Sequence, residues 1–170
     1  MKQESLEERV YDAFVFGLPI YELARTRHND LNGALGAPPL APNTARHGRS
    51  LSGADDRWIT TPNNDTLYSR AWLDLSRGPV TVTVDAQPRG RYWSVALMDA
   101  STRHFGMLGQ RLHGAGPARI TLAGPRGDAS NAKGPAVHAP SNDVWLLARW
   151  IVDGEQDLPE AQAMQDRMSI

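Results

Sequence analysis

The fold is decided by the stretch Thr66-Leu67-Tyr68-Ser69-Arg70-Ala71-Trp72-Leu73 and by Val80-Thr81-Val82-Thr83-Val84, which follows it. In both segments the apolar residues fall on alternate positions: Leu67, Ala71 and Leu73 in the first, then Val80, Val82 and Val84 in the second. Because successive side chains of a strand point to opposite faces of a sheet, this period of two predicts half-buried β-strands. The centre of the chain is therefore predicted to be β-sheet.

Three further strands are predicted between the first two and the C-terminus. Residues 92–98 form a β-rich run after the turn Pro88-Arg89-Gly90, residues 119–122 form a short strand, and residues 144–152 are apolar enough for a central strand. These segments predict a β region over residues 58–152. We predict an α+β fold whose main part is a mostly antiparallel β-sandwich or partial barrel.

A kinked helix is predicted at the N-terminus, over residues 1–28. Ser5-Leu6-Glu7-Glu8 has the pattern of a capping box, which marks a helix start. Pro19 removes one internal hydrogen bond and predicts the kink. Apolar or small residues then recur with helical spacing and predict a buried face, formed by Leu6, Val10, Ala13, Phe14, Gly17, Leu18 and Tyr21.

A short helix is predicted at the C-terminus, over residues 157–168. Asp157-Leu158-Pro159-Glu160 has the pattern of a second capping box, with Asp157 as the N-cap. An apolar stripe follows at Leu158, Ala161, Met164 and Met168. We expect a face of at least one of the two terminal helices to contact another chain.

Residues 29–57 are rich in Gly, Pro, Ala, Asn and Ser, and they include Ala37-Pro38-Pro39-Leu40-Ala41-Pro42. Such a composition does not support a regular helix or a central strand, so a long loop is predicted there. Loops of this length inside a compact domain are usually functional or disordered.

A chain of 170 residues without a repeat predicts one domain over residues 1–170.

The bulk composition excludes several classes of function. Eighteen basic and nineteen acidic residues give a formal net charge of −1 and are interspersed, so nucleic acid is not an expected partner. There is no cysteine for a disulfide, a thiolate nucleophile or a Cys-ligated metal. The first nine residues lack the apolar core of a secretion signal, and no run is long and apolar enough to cross a bilayer. We predict a cytoplasmic protein with no membrane partner.

The densest polar cluster is Asn63-Asn64-Asp65-Thr66-Leu67-Tyr68, at the start of the first predicted strand. Asn and Asp in such a place commonly build a turn by bonding their own backbone. A functional interpretation makes Asn63 and Asn64 orienters of a polar ligand, Asp65 a catalytic base and Tyr68 a catalytic hydrogen-bond donor. The period of two places Tyr68 on one face with Arg70, Trp72 and Asp74, a set that is either solvated or lines a cleft.

Two arginines are candidate ligand-binding residues. Arg91 follows the turn at Pro88, and Arg149 lies inside the most apolar predicted strand, where an unpaired charge is costly. A structural ion pair with a carboxylate such as Asp99 or Asp74 is one explanation of Arg149. The other is that an arginine clamps a carboxylate or phosphate of a ligand.

No metal and no cofactor are predicted. His47, His104, Asp65 and Asp99 are residue types that a metal accepts, but none of them shows a local ligand spacing such as His-x-His. There is no Gly-x-Ser-x-Gly elbow, phosphate-binding glycine loop or dinucleotide fingerprint. The five tryptophans are interpreted as core residues, except that Trp72, with its polar neighbours, also suits an aromatic-lined pocket.

Four segments carry a family resemblance: Val15-Phe16-Gly17-Leu18-Pro19-Ile20-Tyr21-Glu22, Asn43-Thr44-Ala45-Arg46-His47-Gly48-Arg49, Thr61-Pro62-Asn63-Asn64-Asp65-Thr66-Leu67-Tyr68-Ser69 and Val144-Trp145-Leu146-Leu147-Ala148-Arg149. With them the chain resembles the bacterial domain-of-unknown-function family 1254 over nearly its whole length. In many relatives a second domain, of family 1214, follows in the same chain. The resemblance implies that a separate family 1214 polypeptide supplies that half here.

Two functions of different classes fit these features. The first is a polar small-molecule site, binding or hydrolytic, around Asn63, Asn64, Asp65 and Tyr68 with Arg91 or Arg149. The second is a structural or assembly half that forms a homo-oligomer or pairs with a family 1214 polypeptide. The first requires the polar side chains to converge in one place, and the second requires a contiguous apolar surface.

Overall fold

Two β-sheets and a long N-terminal helix make up the protein, seen in a computed structural model that describes residues 5–34, 37–53, 56 and 63–170. The first sheet has five strands in the order β1-β2-β8-β4-β5, and the second has four in the order β7-β6-β3-β9. The elements are α1 (Leu6–Asn32), β1 (Arg46–His47), β2 (Thr66–Asp74), β3 (Val80–Val84), β4 (Trp93–Met98), β5 (His104–Gly109), α2 (Gln110–His113), β6 (Ala118–Ala123), β7 (Ala136–His138), β8 (Asp143–Ile151), α3 (Leu158–Asp166) and β9 (Met168–Ser169).

The two sheets share one hydrophobic core. Its members come from β2, β4 and β8 of the first sheet, from β3 and β6 of the second, and from α3. All the strand pairs are antiparallel except β6 with β7 in the described part of the chain. The predicted α+β class with mostly antiparallel strands is confirmed, and the described strands form two open sheets instead of a closed barrel.

Strand β8 occupies the centre of the first sheet, as its apolar sequence predicts. It pairs with β2 on one side and β4 on the other. Leu67, Ala71 and Leu73 of β2 face the shared core, while Tyr68, Arg70, Trp72 and Asp74 lie on the opposite, outer face. The register sets Tyr68 directly across from Arg149 and Trp72 across from Trp145.

Helix α1 begins as its capping box predicts. The Ser5 hydroxyl accepts from the amide of Glu8, and the Glu8 carboxylate accepts from the amide of Ser5. The helix continues through Pro19 to Asn32, four residues past the predicted end, and stops at Gly33, whose φ of 73° is in the left-handed region. The predicted kink stays a prediction.

The predicted burial of the α1 face is wrong. Leu23 is the buried residue of this helix, and it packs with Leu40 and Trp72 on the outer face of the first sheet. Asp30 holds the same end of the helix, because its carboxylate accepts from the Arg70 guanidinium and from the Trp72 indole, both at 2.9 Å. The part of α1 before Leu23 extends away from this anchor and stays exposed.

Helix α3 begins after its predicted N-cap, Asp157, and ends at Asp166, two residues before the predicted end. The Asp157 carboxylate makes no capping bond to this helix, since it pairs with Arg91. The stripe of Ala161, Met164 and Met168 is buried in the protein's own core, and β9 then pairs with β3.

The segment predicted as a long loop, residues 29–57, contains the end of α1 and the short strand β1, which pairs with β2. Trp58, Thr61 and Pro62 lie outside the described residues. No helix in the described part of the chain is both long and apolar enough to cross a bilayer. The cytoplasmic location and the single-domain organisation stay predictions.

Candidate functional site

The polar cluster at the start of β2 is held by Asn63. Its side-chain oxygen accepts from the Asp65 amide at 2.9 Å, which is the turn-building bond expected of asparagine. Its amide nitrogen donates to the Tyr68 hydroxyl at 3.3 Å. Asn63 therefore builds the turn and at the same time reaches the predicted site residue Tyr68.

Tyr68 and Arg149 contact each other across β2 and β8. The Arg149 guanidinium carbon lies 5.6 Å from the centre of the Tyr68 ring, within the range of a cation–π interaction. Burial raises the pKa of the Tyr68 hydroxyl, but hydrogen bonding to Arg149 and Asn63, and the charge of Arg149, lower it by more. The pKa of Tyr68 consequently lies below its ordinary value of 10.0. The hydroxyl and the guanidinium thus act as one polar unit.

On the other side of β8, Arg149 lies directly across from Ser94 of β4. The Ser94 hydroxyl accepts from the Tyr92 hydroxyl at 3.0 Å. We call Tyr68, Arg149 and Ser94 the arginine row. It lies on the outer face of the first sheet, four residues along β2 from Trp72, a distance of about 13 Å.

Arg149 has no carboxylate within 4.0 Å among the residues that the structure describes. The two carboxylates predicted as its partners are engaged elsewhere. Asp99 pairs with Arg103 at 3.0 Å, and Asp74 accepts from the hydroxyl and amide of Ser76. Arg149 is a half-buried residue, and because no carboxylate pairs with it, its five-donor guanidinium keeps donors free for another partner.

Asn64 and Asp65 are exposed. Asp65 lies in the bend just before β2 and is therefore not part of the strand alternation that places Tyr68 on the outer face. Its backbone oxygen accepts from the Val152 amide at 2.8 Å, which extends the pairing of β2 with β8. The catalytic roles of Asp65 and Tyr68 stay predictions.

Arg91 forms a two-pronged ion pair with Asp157, at 2.8 and 2.5 Å, and also donates to the Ile151 carbonyl at 3.0 Å. Its hydrogen bond to Asp157 raises the pKa of Arg91, and the same bond lowers the pKa of Asp157 below 3.8. Arg91, which lies just before β4, thereby connects the end of β8 at Ile151 with Asp157 at the start of α3. The guanidinium of Arg91 is therefore occupied within the protein.

A buried polar network under α3 was not predicted. The Ser69 hydroxyl contacts His47 Nδ1 at 2.6 Å, Trp150 Nε1 at 2.9 Å and Gln165 Nε2 at 3.1 Å. Ser69, Trp150 and Gln165 are fully buried. The sequence signal was a serine in the core-facing phase of β2, between Leu67 and Ala71.

This network assigns the tautomer of His47. Trp150 Nε1 and Gln165 Nε2 only donate, so the Ser69 oxygen accepts from both and gives its own proton to His47 Nδ1. His47 is then neutral, with its proton on Nε2. Burial lowers the pKa of His47 below 6.5, as does the nearby charge of Arg49, while Asp166 acts in the opposite direction.

The residues considered as metal ligands are not brought together. His47 bonds Ser69, and Asp99 bonds Arg103. Within the described ranges no three His, Asp or Glu side chains form a group suited to a metal ion. Trp72 is buried against Leu23 and Leu40, and its ring stacks on Trp145 at 5.7 Å between centroids. It therefore packs beneath α1.

A separate groove of about 430 Å³ lies on the second sheet. It contains none of the predicted site residues. Its polar lining comes from Thr81, Thr121, Arg119, Asp128, Asn131 and Lys133. This groove provides an internal comparison for any ligand assigned to the arginine row.

These features define a two-sheet α+β domain with a polar row on one outer face and a projecting helix. Residues 42–170 match the model of the family described as "Protein of unknown function (DUF1254)". The chain belongs to that family, which confirms the resemblance seen in the sequence. A search of the curated proteins found no match.

Two solved structures are similar to this chain. A structural genomics target from Vibrio parahaemolyticus has a TM-score of 0.73 and 24% identity, over 93% of this chain and 36% of its own. An uncharacterized protein from Burkholderia cenocepacia has a TM-score of 0.47 and 18% identity, over 91% of this chain and 41% of its own. The chain thus spans less than half the length of either protein, and the Vibrio structure supports the fold.

Proposed function

We propose that the domain binds a small molecule through an anionic group, a carboxylate or a phosphate, at the arginine row. The observation that carries this proposal is Arg149, a half-buried residue whose guanidinium has no carboxylate within 4.0 Å in the described part of the chain. A partly desolvated cation gains more from an anion than one in water does, because screening is weaker there. An arginine fork also matches a carboxylate or phosphate geometrically.

The neighbours of Arg149 supply the remaining contacts. The Tyr68 hydroxyl and the Asn63 amide stand next to each other and next to the guanidinium, and the Ser94 and Tyr92 hydroxyls lie on its other side. All are neutral, so none competes with a ligand for the charge of Arg149. Tyr68 and Tyr92 add ring surface for the uncharged part of the ligand.

Binding is favoured over hydrolysis by the position of Asp65. A general base has to reach the same bound molecule as the hydrogen-bond donor. Asp65 lies in the bend before β2, and its carboxylate makes no hydrogen bond or ion pair with Tyr68 or Arg149 among the described residues. Of the two predicted arginines, Arg149 is favoured because Asp157 already occupies Arg91.

The proposal is tested by calorimetric titration of the purified chain with benzoate and with inorganic phosphate. We expect a dissociation constant on the order of 1 mM for at least one of them, weakened about tenfold or more in Arg149→Met, which keeps the apolar stem. Arg119→Met is the matched control, because Arg119 is an exposed arginine on the second sheet. Equal affinity of wild type and Arg149→Met contradicts the proposal.

A second candidate function is assembly, with another copy of the chain or with a separate family 1214 polypeptide. The exposure of α1 favours it. Among the described residues, nine large apolar side chains between Leu6 and Tyr21 are 38–77% exposed. Exposed apolar area of this extent is unusual on a monomer and commonly marks an interaction surface.

A further inference from the structure

The free part of α1, residues 6–21, is the most exposed apolar element of the described chain. Its side chains include Leu6 at 74%, Phe14 at 62% and Phe16 at 77% exposure. We infer that this segment pairs with the same segment of a second copy, as two antiparallel helices that cross at Ala13 and Gly17. The inference rests on the assembly function proposed above and names its partner and its contact.

The exposed area matches what a pair of copies requires. The nine side chains expose on the order of 1,000 Å² of apolar surface, taking roughly 150–250 Å² for a whole aromatic side chain. If each copy covers half of that surface, the pair buries about 1,000 Å² in total, near the lower limit for a specific interface. The association is therefore expected in the micromolar range of dissociation constants, about 1 μM to 100 μM.

The helix face that makes the contact follows from the spacing of its residues. Leu6, Val10, Phe14 and Tyr21 share one side with Ala13 and Gly17. A side chain built at Gly17 meets no atom within 4 Å, so the space beside it is open. Small residues at this point let the backbone of a second helix come close.

The direction of the pair follows from where α1 is anchored. Its C-terminal end is fixed to the first sheet by Leu23 and Asp30. An antiparallel pair keeps the two sheets at opposite ends, and it sets Ala13 of one copy against Gly17 of the other. A parallel pair instead brings Glu7 and Glu8 of both copies together, where like charges repel.

The pair also divides α1 into two sides that an experiment distinguishes. Phe14 lies on the contact side, whereas Val15 and Phe16 lie away from it. Phe14→Glu and Phe16→Glu are therefore matched variants of the same residue type on the same helix. Both positions are exposed within one chain, so neither change disturbs its core.

The first test is sedimentation velocity of the full chain over a concentration series that extends well above the micromolar range. We expect a dimer for wild type and for Phe16→Glu, and a monomer for Phe14→Glu at the same concentrations. A wild-type chain that is monomeric throughout overturns both the pairing and self-assembly.

The second test uses the absence of cysteine from the chain. A short bismaleimide reagent is expected to join two copies of Gly17→Cys and to leave Val15→Cys unjoined. If wild type dimerises but Val15→Cys is the variant that cross-links, the pairing at Ala13 and Gly17 is wrong while self-assembly stands.

Discussion

Gln165 is a fully buried amide that joins three separate parts of the chain. Its nitrogen donates to the carbonyls of Gly48 and Tyr68, at 3.0 and 3.1 Å, and to the Ser69 hydroxyl. A buried polar group without a partner costs more than the net gain of one hydrogen bond. The amide therefore fixes α3 against β2 and the end of β1.

Replacing Gln165 with leucine tests this role. The change removes the side-chain donor to the Gly48 carbonyl, whereas the Tyr68 carbonyl still accepts from the Gly48 amide at 2.8 Å. We expect the free energy of unfolding to fall by about 2–3 kcal/mol. Urea denaturation measures the loss. Gln162→Leu is the control, because Gln162 makes a bond from the same helix to the Arg49 carbonyl at the surface. Equal losses in the two variants contradict the account.

His47 makes the same network sensitive to pH. Its folded pKa lies below 6.5, so the stabilisation is complete above 6.5 and is lost as the pH falls through the folded pKa. Protonation places a second N–H against a Ser69 oxygen that already accepts two. Arg49 and Asp166 are the charged groups that act on His47.

The expected result is a steeper loss of stability between pH 7 and about pH 5 in wild type than in His47→Gln. The glutamine oxygen accepts the Ser69 proton at any pH in this range, so the variant lacks the titration. Urea denaturation at several pH values measures the difference. Parallel pH profiles contradict a neutral His47.

At the level of elements, the ion pair of Arg91 with Asp157 connects the segment before β4 to the start of α3, and the two side chains are 19% and 13% exposed. We expect Asp157→Asn to lower the free energy of unfolding by about 2 kcal/mol at neutral pH, since the lost hydrogen bonds are charge-assisted. Asp166→Asn is the control. Asp166 pairs with Arg49, and the two side chains are 61% and 42% exposed, respectively. A loss of at most about 0.5 kcal/mol in the free energy of unfolding is therefore expected.

The stabilisation by the Arg91–Asp157 ion pair is expected to depend on pH. The folded pKa of Asp157 lies below 3.8, so the stabilisation is complete above 3.8 and is lost as the pH falls through the folded pKa. The gap between wild type and Asp157→Asn should close in that range. A gap that persists in acid contradicts the assignment.

The elements that the sequence predicts are those whose local pattern agrees with their environment. β2, β3 and the Ser5–Glu8 capping box follow from alternation and from end signals. β5 was missed because Gly106 and Gly109 interrupt its pattern, although both pack closely on β4. β7 and β9 are short and depend on neighbours that are distant in the sequence.

The sequence predicts which residues form the candidate site, but it does not predict which of them contact each other. Strand phase places Tyr68 on the outer face, but the contact with Arg149 depends on the register of β2 against β8. Helical spacing identifies the apolar face of α1, yet it does not say what covers that face. The same limit made the stripe of α3 look free when the protein's own core buries it.

For the whole molecule, the two proposed functions use different surfaces. The arginine row lies on the first sheet, and the free part of α1 extends away from the place where Leu23 and Asp30 fix the helix to that sheet. Ligand binding and pairing therefore need not exclude each other.

The central claim is that the arginine row binds an anionic group. It is tested most directly by a crystal soaked in 4-bromobenzoate, in which the anomalous signal of bromine locates the molecule. We expect the carboxylate of 4-bromobenzoate to bind the Arg149 guanidinium, with the ring near Tyr68 or Tyr92. A molecule found only in the groove of Arg119 and Lys133, or nowhere on the first sheet, contradicts binding at the arginine row.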